Sequence, residues 1–350
     1  YWNCAWRSLT KKKGFSVVNI VGLAIGMAAA LLILTYVAFE YSYDDMHSRQ
    51  DRIFRVEARF YENGELTDDW ASSSAGYATA MKQNMSAVEA YTRVGSQYYP
   101  EQVVKYNELL YRETGIGYAE ANFFDFFDFK LLKGNKESCL DGPNKVVITE
   151  RIARKYFKGA DPIGKILIFR SNIGEEACEV TGIMEDMPIN THIRYNLLIS
   201  YKTLPKWMDE YWYRHEVYSY VLLKSANLKT QVEEDFPVMA EKYKTEEALK
   251  NKTWAIQLTN LRDIHLNPQK AYEPEVKGNR SSIWVLICTA LAILCIAWIN
   301  YINMTVARSM ERAKEIGIRR ASGASRRQVI SQFLFESLVT NSIAFILAIG

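Results

Sequence analysis

Three long apolar runs divide the chain. Residues 15–39 form 25 positions without a charge, and residues 283–306 form 24 more. A helix that rises about 1.5 Å per residue crosses a hydrocarbon layer of roughly 30 Å in about 20 residues. Both runs therefore predict transmembrane helices. A third run, 333–350, predicts the start of another span, and we expect the chain to be a fragment of a longer protein.

Basic residues predict how these spans are oriented. Lys11, Lys12 and Lys13 precede the first run, but its length exceeds the roughly 7–15 apolar residues of a signal peptide, which favours a retained anchor. The net charge is +3, and residues 1–39 and 283–350 each carry four more basic than acidic side chains. The middle of the chain is therefore acidic, and this charge pattern gives no support for nucleic-acid binding.

Basic flanks stay on the cytoplasmic side of a membrane. The charge pattern thus predicts a cytoplasmic N-terminus at 1–14, an exported domain at 40–282 and a cytoplasmic elbow at 307–332. The fold class that follows is a multi-pass α-helical membrane protein with a large extracytoplasmic domain.

Within residues 40–282, strand-like runs such as "KVVIT" and "CEVTGIM" alternate with helical patterns such as "TERIARKYF". This mixture predicts an α+β domain, long enough for two lobes. Five phenylalanines lie between Phe123 and Phe129. Clustered aromatic residues favour a buried position over an exposed binding patch.

One stretch resembles a nucleotide-binding loop. "GADPIGK", residues 159–165, has the spacing G-x-x-x-x-G-K, but Ile166 stands where a P-loop has the Ser or Thr that helps to hold magnesium. The pattern before it predicts a helix capped by Thr149, and "ILIF" after it predicts a strand. Asp161 to Gly164 has the residues of a type I turn. A helix, a turn and a strand are therefore favoured over an ATP site.

Candidate catalytic or metal-binding residues are sparse. His47, His192, His215 and His265 are scattered, and His215-Glu216 has no third partner in the sequence. No H-E-x-x-H or C-x-x-C pattern is present, so we expect no catalytic site, metal site or cofactor. Cys139 and Cys178 both lie in the exported domain, where a disulfide is possible. Cys288 and Cys295 fall in the second span, as small apolar packing residues.

The elbow is the most informative segment. In "ERAKEIGIRRASGASRRQVISQFLFES", Glu315 and Arg319 have the spacing of a helical ion pair. Gly323 is suited to end one helix, after which an amphipathic helix would continue into the third span. A basic loop attracted to anionic headgroups is the alternative interpretation.

These residues resemble the cytoplasmic signature of the FtsX-like permease family, through E-I-G-I-R-R-A and the following G-A. The exported part, through "ANFFDFFDFKLLKGN", "VVITERIARKYFKGADPIGKIL" and "VTGIMEDMP", is similar to the MacB-type periplasmic core domain. The resemblance covers nearly the whole chain. It implies the permease subunit of an ABC transporter in a bacterial inner membrane, with residues 40–282 in the periplasm.

The resemblance also implies that the permease itself hydrolyses no ATP. A cytoplasmic ABC ATPase, which binds the ATP, docks under the elbow and moves the periplasmic domain, a mode called mechanotransmission, for export or extrusion of a substrate. The positions matching the coupling motif are Glu315, Gly317, Arg319, Arg320, Gly323 and Ala324. A second permease copy, a periplasmic adaptor, an outer-membrane channel and a second repeat of the unit are further features of such systems.

Two alternatives to a transporter are an FtsX-style regulator of a cell-wall hydrolase and a membrane sensor with an exported ligand domain. The third apolar run, about 26 residues after the second, argues against the sensor. Gly22 and Gly26 form a G-x-x-x-G pattern that allows close helix packing in membranes. These glycines would lie either at a seam between two permease copies or against the second span of the same chain.

Overall fold

The computed structural model describes residues 13–96, 101–171, 174–210, 212–215, 217–244, 249–274, 277–307, 313, 316–318 and 320–350. The chain divides into two compact units. The helix unit comprises Tyr1–Tyr41 and Arg280–Gly350, and the sheet unit comprises Ser42–Asn279.

The described residues contain seven bounded α-helices, besides the helical residues 313, 316–318 and 320–321. They are α1 (Lys13–Tyr41), α2 (Gly76–Asn84), α3 (Phe123–Phe126), α4 (Glu150–Phe157), α5 (Lys229–Ala240), α6 (Arg280–Ala307) and α7 (Arg326–Ile349). By length and composition, α1, α6 and α7 are each able to cross a membrane. The helix unit packs through a small cluster in which Leu23 and Ala24 of α1 meet Ala344 of α7.

Thirteen strands are present in the described part of the sheet unit. They are β1 (Ile53–Glu62), β2 (Glu65–Asp69), β3 (Val88–Ser96), β4 (Glu101–Tyr106), β5 (Leu109–Thr114), β6 (Ile116–Ala119), β7 (Leu131–Lys133), β8 (Lys145–Thr149), β9 (Ile166–Ser171), β10 (Gly174–Met184), β11 (Leu197–Ser200), β12 (Val217–Leu223) and β13 (Lys252–Asn260).

All of these strands belong to one sheet, in the order β13-β1-β12-β3-β6-β11-β8-β10-β9-β4-β5, with β2 on β1 and β7 on β10. Most neighbours are antiparallel, whereas β6 with β11 and β8 with β10 are parallel. The predicted α+β class is confirmed. We expected two lobes, but a single sheet continues through the whole unit because strands distant in sequence pair with one another.

Helices and aromatic clusters cover this sheet. Tyr77 of α2 and Phe236 of α5 are buried with Phe60 and Trp254 at the β1–β13 end. The five phenylalanines from Phe123 to Phe129 are also buried, in a second cluster. The predicted aromatic core at these positions is therefore confirmed, since none of the five rings is left exposed as a binding patch.

Candidate coupling sites

The elbow consists of a helical end, a four-residue break at residues 322–325 and a new helix. Residues 316–318 and 320–321 are helical, and the Gly323 amide donates to the Arg320 carbonyl at 3.0 Å. Gly323 has φ +93°, the left-handed conformation that glycine adopts without strain at a helix end. The predicted helix end at Gly323 is confirmed, and Ala324 follows it outside either helix.

The new helix α7 has a complete N-terminal cap. The Ser325 hydroxyl accepts from the Gln328 amide, and the Gln328 side chain accepts from the Ser325 amide. Such a capping box satisfies two amide groups that would otherwise have no helical partner. Because α7 begins at Arg326, the last residues of the predicted elbow are already the first turns of the third span.

The elbow presents exposed residues to its surroundings. A Cβ placed on Gly317 would meet no atom within 4 Å among the described residues. Ile318 is 61% exposed, and Arg320 is exposed as well. Glu315 and Arg319 lie outside the described residues. This surface therefore leaves room for another molecule at Gly317, beside one apolar and one basic side chain.

Gly22 and Gly26 lie where α1 meets α6. A Cβ on Gly26 would lie 2.7 Å from the Ala297 Cβ, too close for two carbon atoms, whereas a Cβ on Gly22 would lie 3.6 Å from the Asn300 Nδ2. The sequence leaves open whether these glycines lie at a seam between two permease copies or against the second span of the same chain. In the structure they pack against the second span, α6. Glycine at position 26 is required for this approach.

The P-loop look-alike is a turn. Thr149 caps α4 through a hydrogen bond from the Ile152 amide, and β9 begins at Ile166, as predicted. The Lys165 amide donates to the Pro162 carbonyl at 3.1 Å, so the turn consists of residues 162–165, one position later than expected. Gly164, its third residue, has φ +78°, which is typical of a type II rather than a type I turn.

Cys139 and Cys178 are free thiols, each buried in a different core cluster, so the possible disulfide is not formed. Burial raises the pKa of Cys139 to about 11 and that of Cys178 to about 12. Among the described residues, no group of three or more His, Cys, Asp or Glu side chains is placed to hold a metal ion.

Residues next to α1 are fixed to the sheet unit by hydrogen bonds. Asp44, three positions after the end of α1, accepts from the Thr191 hydroxyl at 2.5 Å and lies 2.6 Å from His192 Nδ1. The His192 Nε2 is 2.9 Å from the Tyr220 hydroxyl on β12. Burial raises the pKa of the Asp44 carboxyl, but His192 and Thr191 outweigh that effect and hold it below its usual range.

Residues that precede α6 bind the same strands. Arg55 on β1 is fully buried and donates to Glu57 at 2.7 Å and to Glu273 at 2.6 Å. Lys277, three positions before α6, lies 2.6 Å from Glu273. Burial alone would raise the pKa of Glu57. The charges of Arg55 and Lys270 lower that pKa by more, so the carboxyl titrates below its usual range. The charges are thus paired within the chain.

These two sets of contacts meet on one face of the sheet, because Arg55 and Tyr220 are directly opposite each other on β1 and β12. We call the seven residues the junction network: Asp44, Arg55, Glu57, His192, Tyr220, Glu273 and Lys277. Nearer the surface, Arg262 bridges Asp45 and Asp51, each at 3.1 Å, and the rings of Tyr43 and His265 stack at 3.4 Å. Sequence reasoning missed this site.

His47 belongs to the same region. Its Nδ1 accepts from the Asp128 amide at 3.2 Å, and its ring contacts Phe127 and Phe129. Burial lowers the pKa of His47 to about 4, although Asp44 opposes the shift. The imidazole is therefore neutral near pH 7.

Two family models match this chain. The MacB-like periplasmic core domain matches residues 16–237, more than half of the chain, and the FtsX-like permease C-terminal model matches residues 287–350. The first match includes most of α1 and much of the sheet unit. The second begins within α6 and includes the elbow and α7.

Curated relatives resemble the chain over much of its length. The macrolide export ATP-binding/permease protein MacB of Neisseria meningitidis serogroup A is 27% identical over 251 residues, 69% of this chain and 36% of that relative. The Pseudomonas syringae pv. tomato protein named "Probable syringafactin export ATP-binding/permease protein SyfD" is 24% identical over 362 aligned positions, 100% of this chain and 50% of that relative. The chain spans half the length or less of these two relatives.

A crystal structure of a domain from a Porphyromonas gingivalis protein described as a permease has a similar fold. The TM-score is 0.55 at 23% identity, over 66% of this chain and 96% of that one. At this identity the likeness concerns the fold alone. On the two family matches together, the chain belongs to the FtsX-like permeases with a MacB-like periplasmic core domain.

Proposed function

We propose that the chain is the membrane-spanning, non-catalytic component of an ABC transporter of the MacB and FtsX type. An ATPase, on a separate or a fused chain, docks against the elbow, and its ATP-driven movement changes the sheet unit for export of a substrate. The observation that carries this proposal is the order of the two family matches, 16–237 and then 287–350, in one chain.

Short connections between the two units support this mechanism. Only Ser42 and Tyr43 separate the end of α1 from Asp44, and only Gly278 and Asn279 separate Lys277 from the start of α6. Because Asp44 and Lys277 are held in the junction network, relative displacement of α1 and α6 acts on β1 and β12 without a long flexible linker.

We place residues 40–282 in the periplasm of a bacterium, with the elbow in the cytoplasm, on the charge distribution alone. Labelling in intact cells tests this topology. An introduced cysteine near Lys229 should react with a membrane-impermeant reagent, and one near Ser325 should react only after permeabilisation. The reverse pattern would contradict the orientation and with it the docking of a cytoplasmic ATPase.

The partners in this proposal are the ATPase, a second permease copy, membrane lipids and, for export across two membranes, a periplasmic adaptor and an outer-membrane channel. ATP is bound by the ATPase, and the permease needs no cofactor. The two relatives described above are named for macrolide and syringafactin export. Since those substrates differ, we propose export without assigning a cargo. Co-purification with a cell-wall hydrolase would favour the regulator instead.

Charge reversal and added bulk on the elbow test the docking. We expect Glu315→Lys to weaken binding of the ATPase about tenfold or more, because a desolvated charge-assisted hydrogen bond contributes about 1.5–3 kcal/mol. Gly317→Leu should weaken binding by filling the open space beside Gly317. The measurements are pull-down of the ATPase and its ATP turnover at equal membrane levels of each variant.

Glu65→Lys provides a matched control, since it makes the same charge change at an exposed position of β2. It should leave both measurements unchanged. If Glu315→Lys and Gly317→Leu behave like this control, the elbow is a lipid-facing basic loop and the coupling proposal is wrong.

A further inference from the structure

Residues 185–194 form a loop that holds an isoleucine outward. Ile189 is 66% exposed, whereas Met187, two positions earlier, packs against the cluster that contains Phe123. On the other side, the Arg194 guanidinium donates to the Ile189 carbonyl at 2.9 Å. The backbone on both sides of Ile189 is therefore fixed, and its exposure is not that of a loose loop tip.

The same loop is bound to the residue that follows α1. The Asn190 side-chain amide donates to the carbonyl and to the hydroxyl of Ser42, each at 3.0 Å. In return, the Asp44 amide donates to the Asn190 carbonyl at 2.9 Å. Since Ser42 directly follows Tyr41, the last residue of α1, Ile189 is held close to the point where the chain leaves that helix.

The depth of Ser42 in a membrane follows from the length of α1. The uncharged run ends at Phe39, and Ser42 is three positions later, about 4.5 Å further along a helical axis. The headgroup layer on each side of a bilayer is roughly 5–7 Å thick. If α1 crosses the membrane, as the proposed function requires, Ser42 and the loop attached to it lie in the headgroup layer.

The exposed chemistry of this region suits lipid. Tyr41 is 47% exposed, and tyrosine is enriched at the membrane interface. Met46 is 39% exposed and lies four positions after Ser42. Arg194 is exposed, and a guanidinium has five N–H groups suited to phosphate. We propose that the loop 185–194 docks on the adjacent membrane leaflet, with Ile189 at the boundary of headgroups and acyl chains and Arg194 on a lipid phosphate.

Fluorescence quenching by nitroxide lipids tests the contact. The whole chain, with its native cysteines changed to alanine, is reconstituted into phosphatidylcholine vesicles with a single labelled cysteine from Ile189→Cys, Tyr41→Cys or Leu66→Cys. Leu66 is an exposed apolar control opposite Tyr61, about 26 Å along β1 from Ile53. We expect a nitroxide on the upper acyl chain to quench most of the emission at 189 and at 41, and little at 66.

Arg194→Gln tests the phosphate contact. In the chain labelled at position 189, it should reduce quenching in phosphatidylcholine and have no effect in galactolipid vesicles, which contain acyl chains but no phosphate. An equal effect in both vesicles, or none in either, would overturn the role of Arg194.

The remaining outcomes separate this inference from the proposed function. Quenching at 41 without quenching at 189 overturns the docking of the loop while α1 still enters the membrane. The absence of quenching at both 41 and 189 contradicts the membrane-spanning role of α1 itself. A label at 189 that is shielded both from lipid nitroxide and from aqueous iodide is covered by protein, which also overturns lipid docking.

Discussion

The junction network and the elbow both contain charged residues, but in different environments. In the sheet unit, Arg55, Glu57 and Glu273 are at most 2% exposed and are paired with one another. On the elbow, Arg320 is exposed, and the position beside Gly317 is open. A desolvated charge requires a partner in the same molecule, whereas an exposed charge is solvated and remains available to a second molecule.

This difference in environment suggests different roles for the two places: the junction network would transmit movement between helices and sheet, and the elbow would bind the ATPase. The junction network holds strands β1 and β12 to the residues next to α1 and α6. Its role is therefore structural. Among the described residues, no atom packs against the Cβ position of Gly317, so the surface there is available for recognition. Substitutions at the two places should therefore differ in whether they change stability or change partner binding.

The largest effect is expected for Glu273→Gln. It removes the carboxylate that binds Arg55 and Lys277, and breaking a buried ion pair in this way costs about 3–5 kcal/mol. Asp51→Asn is the control, because Asp51 is 75% exposed in its pair with Arg262 and should contribute less than about 1 kcal/mol. Urea unfolding of the solubilised chain, followed by tryptophan fluorescence, measures both. Equal losses would remove the distinction between the two environments.

A pH effect is expected from His47. Its pKa is about 4 in the folded chain, below the ordinary value of 6.5, so the unfolded chain binds the proton first as the pH falls. The free energy of unfolding should therefore be highest above about pH 6.5 and fall by about 3 kcal/mol as the pH is lowered towards 4. His47→Gln, which does not titrate, should flatten this part of the profile. A parent and a variant with parallel profiles would show that another group is responsible.

Added bulk at Gly26 should destabilise the helix unit. Gly26→Ala places a Cβ against Ala297, and such overpacking costs about 1–3 kcal/mol. Gly22→Ala should be tolerated, since its Cβ has an ordinary contact distance of 3.6 Å. Thermal unfolding followed by helical circular dichroism gives the comparison. Restoration by the double variant Gly26→Ala with Ala297→Gly would assign the cost to this contact, and failure to restore would contradict it.

The smallest effect on stability is expected for Gly317→Ala. The position is helical and open, and alanine is favoured over glycine within helices by roughly 0.5–1 kcal/mol. Stability should therefore stay equal or rise slightly, while ATPase stimulation should fall if a partner approaches the backbone there. A loss of stability would mean that Gly317 packs within the chain, and the contrast with the junction network would fail.

Local patterns in the sequence predicted the local structures. The helix, turn and strand around Gly159 and Gly164 follow from capping and turn residues, and only the register and the type of the turn differed. The helix break at Gly323 was predicted for the same reason. These features depend on neighbours within a few positions, which a single sequence displays directly.

The junction network could not be predicted in this way. Its His192 is isolated in the sequence, and the partner Asp44 belongs to another segment. The same holds beside the network, where His47 contacts Asp128 and His265 stacks on Tyr43. Only long-range strand pairing brings these segments together. The same cause explains the single sheet, because the pairing of β13 with β1 joins the two ends of the sheet unit.

The position of β1 also has a consequence in time. Arg55 on this early strand is paired with Glu273, which is 218 residues later in the chain. At a synthesis rate of about 5–20 residues per second, roughly 10–40 s pass before that carboxylate exists. For most of this interval β1 lacks β12 and β13, because both strands lie late in the chain, and its edges are open to incorrect pairing. Nascent chains of this protein are therefore expected to depend on chaperones until residues near 273 have been made.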